Sequence, residues 1–187
     1  MIPSPDWRTK VKNHDVEMWA AARPLSTFMD LWEDSHLDPL MMPYLAEAGG
    51  ATYKQLVYAA CGVARLCLPL FHEEETRPRT AIEVAEKWTQ GHGSKKNVKL
   101  ALGSAFAASS TVNAAILAVY HILTSIDSMK DPTVGTSFNT NASNTIGYTY
   151  QAGIDSHLIR ATMRIRLPFE LSVPPKRLTV WQWLLED

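Results

Sequence analysis

A surplus of charge of either sign is nearly absent from this chain: 18 Lys and Arg stand against 19 Asp and Glu, a formal net charge of −1 over 187 residues. That balance excludes a general electrostatic grip on nucleic acid or on an anionic membrane, both of which need a cationic surplus. Cysteine is scarce too. Cys61 and Cys67 are the only two and lie in one apolar segment. On a helix they point in different directions and cannot pair locally. They read as reduced core thiols, which places the chain in the cytoplasm. The opening MIPSPDWRTK has no apolar run behind its charges, so no secretory signal is expected.

Charge is wholly missing from Leu100 to Ile126, long enough to span a bilayer. Ser104, Ser109, Ser110, Thr111, Asn113 and His121 interrupt the run, and polar groups in lipid need partners. A buried core helix is therefore expected there.

The motifs of common chemistries are missing as well. Ser104, Ser109 and Ser110 belong to no Gly-x-Ser-x-Gly elbow, and His121 and His157 lie elsewhere, so the serines read as small packing residues. His72-Glu73-Glu74-Glu75 would begin a zinc-protease helix only with a second histidine at position 76, where Thr76 stands. Gly91-His92-Gly93-Ser94-Lys95-Lys96 lacks the spacing of a phosphate loop, and its lysines with Lys99 are expected to decorate a helix start. Glu33, Asp34, His36 and Asp38 form an acidic cluster that straddles a helix break without a recognised ligand spacing. No catalytic residue, metal or cofactor is expected; binding is.

What is present is helix punctuation. Asp38-Pro39 places an N-cap acceptor before a proline. Thr52-Tyr53-Lys54-Gln55, Thr80-Ala81-Ile82-Glu83 and Thr179-Val180-Trp181-Gln182 each fit a capping box. Gly91 and Gly93 close the helix that Thr80 is expected to start. Between these signals the apolar spacing is helical. Leu56, Ala59, Ala60, Val63, Ala64 and Cys67 form one stripe, closed near Pro69. Ile82, Ala85 and Trp88 form the next. Val98 to Phe106 and Val112 to Leu123 give two more stripes, either continuous or bent at Ser109-Ser110.

The pattern predicts one all-α domain over 1–187, a compact helical bundle. Its parts are aromatic N-terminal segments at 1–48 (two or three short helices), core helices at 52–127, an uncharged loop at 132–150, and a C-terminal helix and tail at 151–187. Residues 154–173 suit either a helix to about Leu167 or an alternating strand, and Pro168 favours the helix.

The runs QLVYAACGVARLCLPLF and RPRTAIEVAEKWTQG resemble a family of helical bacterial and phage proteins labelled as immunity proteins. The shared pattern is an Ala/Cys-rich helix carrying Arg, then a charged R-x-R-x-A-I-E-x-A-E-x-W helix ending in Gly. An alanine-rich pair follows, as at Leu100 to Ile126, and then a late element matched by Gln151, Leu158, Ile159, Arg160 and Pro168-Phe169. The likeness runs discontinuously from Trp19 to Phe169 and has no counterpart to 132–150. It implies an all-helical fold and a non-enzymatic role in immunity or counter-defence.

Two groups of residues are candidates for contact with a partner. Arg65 sits in an apolar segment and needs a partner if buried: an ion pair with Glu83 or Glu86, or a polar pocket shared with Arg77 and Arg79 that grips an anion. In the uncharged segment, Asn139, Asn141 and Asn144 offer hydrogen bonds, while Phe138, Tyr148 and Tyr150 offer stacking. The expected partner is a protein toxin or defence factor met by residues 19–47 or by the uncharged segment. The alternative is a nucleotide-like small molecule held between that segment, Arg65 and the Arg77/Arg79 turn, and a third, weaker reading is an enzyme whose site is scattered through the sequence and so escapes motif reading. Trp181, Trp183 and Leu184 leave a homo-oligomer open.

Overall fold

The computed structural model describes residues 1–107, 114–127 and 137–169. Among them the chain is all-helical: α1 (Trp7–Lys10), α2 (His14–Ala21), α3 (Phe28–Trp32), α4 (Met42–Ala48), α5 (Tyr53–Arg65), α6 (Arg77–Thr89), α7 (Lys95–Ala107), α8 (Ala114–Asp127), α9 (Ser137–Gln151) and α10 (Ser156–Arg166). Short 3-10 turns stand at Pro39–Met41 and Leu68–Leu70. The N-terminal 48 residues thus hold four helices rather than two or three.

Helix α5 organises the rest. Its start is the expected capping box: the Thr52 hydroxyl accepts from the Gln55 N–H at 3.4 Å, and Gln55 Oε1 accepts from the Thr52 N–H at 2.8 Å. From there the helix is apolar on two sides. Leu56, Ala59 and Val63 enter one core, while Val57, Ala60, Cys61 and Ala64 enter a second. A helix that is apolar around most of its circumference belongs in the interior. Accordingly α5 packs on α4, α6, α8, α9 and α10.

The first core is aromatic. Phe28 stacks on Trp32 with ring centroids 6.1 Å apart, Trp7 meets Phe28 edge-on at 5.6 Å, and Phe169 closes on Phe28 at 4.7 Å and Trp32 at 5.1 Å. Gly49 lies against this cluster at an ordinary φ of −68°. A Cβ there would fall 2.4 Å from Phe28 Cζ and 2.5 Å from its Cε2. The ring is held by three aromatic neighbours and cannot step aside. Gly49→Ala is therefore expected to destabilise by about 2 kcal/mol through overpacking alone. Equilibrium urea unfolding checks this, and a loss below about 0.5 kcal/mol would show that the cluster has slack.

The second core brings α6, α7 and α8 onto α5, with Ile82, Ala85 and Trp88 buried as their spacing predicts. One boundary is corrected. Thr80 is no N-cap; it lies inside α6, which begins at Arg77 with Pro78 in its first turn and Thr76 at the cap. Proline fits a first turn because the N–H it lacks would have had no helical acceptor. The capping-box spacing at Thr80 therefore falls one turn inside the helix. Beyond α6, Gly91 at φ +84° turns the chain, as the expected stop signal requires.

The uncharged segment is also corrected. Residues 137–150 are no loop but most of α9. Thr, Asn, Ser and Gly are poor helix formers, yet tertiary packing routinely overrides propensity. Ala142, Thr145, Ile146 and Thr149 are buried at helical spacing. They face α5 and α8, against which α9 packs. The buried hydroxyls are satisfied: Thr145 Oγ1 donates to Asn141 O at 3.0 Å or Ala118 O at 3.2 Å, and Thr149 Oγ1 to Thr145 O at 2.9 Å. Residues 132–136 lie outside the described residues, as do Ser109, Ser110, the box at Thr179 and the aromatic tail.

Helix α10 ends at Arg166, in agreement with the helical reading of 154–167, and Pro168 leads Phe169 into the aromatic core. The described parts of the charge-free run lie in α7 and α8, and among the described residues no helix is long and apolar enough to cross a membrane.

Candidate functional site

The predicted arginine group separates into three places. Arg65 Nε donates to Glu86 Oε1 at 3.0 Å and its Nη2 to Oε2 at 2.6 Å, so the pair on α5 and α6 is bidentate. Arg166 of α10 joins it, Nη1 to Glu86 Oε1 at 3.5 Å, while its guanidinium lies over the Tyr58 ring at 4.2 Å. Gly62 makes this approach possible, since a Cβ there would fall 3.0 Å from Arg166 Nε. The hydrogen bond from Arg65 holds the Glu86 carboxyl below its ordinary range, and the same bond raises Arg65. Glu83 is half-buried and adds only its field to Arg65. Arg65 is thus a structural residue tying α5, α6 and α10.

Arg77 is exposed and spends its guanidinium on Glu75, Nε to Oε1 at 2.7 Å. Arg79 lines a separate hollow of about 380 Å³ with Phe71, His72 and Glu75. Of the acidic cluster, Asp34 Oδ1 accepts from the His36 N–H at 2.8 Å, Glu33 meets Arg164 at 3.3 Å and Asp38 caps the 3-10 turn. Among the described residues no group of three or more His, Cys, Asp or Glu is placed to hold a metal ion. Both cysteines are buried thiols, and burial pushes them up in pKa.

The concave surface lies where the Pro39–Met41 turn meets α9. Asp38 starts that turn, its Oδ1 accepting from the Leu40 N–H at 2.9 Å, and Ser143 Oγ fastens it to α9 by donating to Leu40 O at 2.9 Å. On either side of Leu40 opens a hollow, and the two share Asp38, Leu40 and Gly147. The first, about 390 Å³, is polar and aromatic: Asn13 and Asp15 come from the start of α2, Tyr44 from α4, and Asn144, Tyr148 and Gln151 from α9. The second, about 360 Å³, is walled by Pro39, Ile146 and Tyr150, with Ser156 and Arg160 of α10. Together they form one trough with Leu40 as its ridge.

Three predicted residues reach this trough: Asn144, Tyr148 and Tyr150. Asn141 instead faces His121, Oδ1 to Nδ1 at 3.2 Å, and the His121 ring stacks on Tyr148 at 5.2 Å. Asn141 and His121 therefore back the Tyr148 ring from behind. The Phe138 and Asn139 side chains lie outside the described residues.

Sequence reasoning missed Asn13, Asp15, Asp38 in this role, Gly147, Ser156 and Arg160. A signal for Arg160 existed. It follows Ile159 directly and lies on the arc of Ile159, Met163 and Leu167, all buried, which is the situation that singled out Arg65. Among the described lining residues there is no histidine, cysteine or lysine; the titratable side chains are Asp15, Asp38, Tyr44, Tyr148, Tyr150 and Arg160. Comparisons with protein-family models, with curated proteins and with solved structures each find no match.

Proposed function

We propose that the protein acts by binding, without turnover, and that its partner sits in the trough between the Pro39–Met41 turn and α9. One observation carries this: the two stretches expected separately to meet a partner, 19–47 and the uncharged segment, face each other across two adjoining hollows of about 390 and 360 Å³. Hollows of this size, apolar or aromatic with a few convergent polar groups, are the form that ligand sites take. The resemblance to helical immunity proteins supplies the setting, a protein of immunity or counter-defence type that occludes or sequesters a toxin or defence factor. The concavity favours a second occupant, a small molecule held away from its target.

Gly147, on the trough floor, gives the test. A Cβ there meets only Leu40 Cδ2, at 3.5 Å, an ordinary contact. Gly147→Ala in the interior of α9 is therefore expected to stabilise by about 0.5–1 kcal/mol, a melting-temperature rise of about 1–4 °C. Gly147→Leu keeps the helix and fills the trough. Native mass spectrometry of protein recovered gently from toxin- or phage-challenged cells should show an added mass on the wild type that Gly147→Leu lacks. An added mass retained by Gly147→Leu, or absent from both, would sink the reading.

A further inference from the structure

Arg160 is 7% exposed, the most buried arginine among the described residues, and it lines the second hollow of the trough. A guanidinium carries five donors and stays charged, so burying it is costly unless acceptors surround it. The half-buried arginines meet that requirement. Arg8 donates to the carbonyls of Ala20, Arg23 and Ser26 at 2.7–2.9 Å. Arg164 donates to Trp32 O and Asp34 O and meets Glu33. Arg65 and Arg166 share Glu86. Arg160, more buried than any of these, has among the described residues one hydrogen bond, to Leu37 O at 3.4 Å, and no ion pair. Among the described residues most of its donors are therefore unspent, beside a cavity of about 360 Å³.

We propose that this hollow is a carboxylate-binding site, in which Arg160 receives one carboxylate of a small organic acid. The inference rests on reading the trough as the binding surface and names the class of molecule that enters it. Arginine's planar fork matches a carboxylate with two parallel hydrogen bonds. Ser156, one helical turn before Arg160 on α10, brings a hydroxyl to the same pocket. Pro39, Leu40, Ile146 and Tyr150 offer an apolar and aromatic wall to the body of the acid. Asp38 lines the same pocket and is exposed, adding one negative charge at the mouth. That charge repels a doubly charged phosphate about twice as strongly as a singly charged carboxylate, which tilts the site toward the carboxylate.

The probes are phenylacetate, its neutral amide phenylacetamide, acetate and inorganic phosphate, titrated into the full chain and read by calorimetry and thermal shift. Phenylacetate should bind saturably and raise the melting temperature, acetate should bind more weakly, and phenylacetamide and phosphate should do neither. Arg160→Met should weaken phenylacetate binding at least tenfold, roughly the loss expected for hydrogen bonds to a charged group. The same variant should melt no lower than wild type, because it removes a buried charge that has little to hold it. A sharp fall in melting temperature for Arg160→Met would make the residue structural and overturn the proposal. Phosphate binding in place of phenylacetate would reassign the pocket to phosphoryl anions. Equal binding of acid and amide, or silence from every carboxylate, would remove Arg160 as the recognition element. The Gly147→Leu comparison answers separately whether the trough binds anything, so the two readings can fail independently.

Discussion

Trp32→Ala is expected to cost about 4 kcal/mol, the largest loss of any single substitution considered for this fold. Trp32 is 1% exposed, and its ring is shared by elements far apart in sequence. Phe28 stacks on it at an interplanar angle of 16°, and Phe169 meets it edge-on at 73°. Deleting the indole removes its buried area and leaves a cavity bounded by two rings that cannot both collapse inward. The effect is one of volume, because the link from Arg164 runs to the Trp32 carbonyl, which alanine keeps. Trp32→Phe should therefore retain more than half of the lost stability. Urea unfolding with an unchanged m-value is the measurement. A loss under about 1 kcal/mol for Trp32→Ala would mean that α3 and the Phe169 segment do not share a core.

Replacing Glu86 by glutamine is expected to cost about 2–3 kcal/mol, between what an exposed ion pair and a fully buried one lose when one partner goes. Glu86 is 15% exposed at the side chain and faces Arg65 at 2.6 Å and Arg166 at 3.5 Å. Without the carboxylate, two guanidiniums on α5 and α10 are left facing each other with a neutral amide between them. The pH dependence follows from the direction of the shift. The hydrogen bond from Arg65 depresses the folded-state pKa of Glu86 below its unfolded value. The stabilisation is therefore complete above the unfolded carboxylate value of about 4.3 and is lost as pH falls through the depressed folded value. Between pH 7 and about pH 5 the difference between wild type and Glu86→Gln should hold constant, and it should shrink in more acid solution. A difference that did not depend on pH down to about pH 2 would assign the cost to shape rather than to charge.

The helices with strong apolar periodicity were legible in the sequence because their local signals and their packing agree. Thr52 and Gln55 form the box that their spacing implies, and Arg65, a charge in an apolar segment, found its carboxylate on the next helix. The errors have physical causes. Residues 137–150 read as a loop because Thr, Asn, Ser and Gly dominate the composition. Their buried positions, 142, 145, 146 and 149, repeat with helical spacing, but two of the four are threonines. Those hydroxyls are acceptable in the core only because each donates to a main-chain carbonyl, and bonds of that kind have no mark in a sequence. Thr80 fits the capping-box pattern yet lies within α6, since a box spacing arises inside a helix as readily as at its start. The trough was half legible. Asn144, Tyr148 and Tyr150 were singled out for their chemistry, but the turn that faces them is about a hundred residues earlier, and its contact with α9 through Ser143 is a tertiary fact.

The central claim is that the partner occupies the trough, and amide hydrogen exchange of the protein, carrying its bound mass and again after release, tests it most directly. Binding is expected to slow exchange in residues 37–44, in the second half of α9 and in the first turns of α10, with the Arg77–Arg79 turn unchanged. Protection centred on the hollow at Phe71, Glu75 and Arg79, with 37–44 and α9 unaltered, would contradict it.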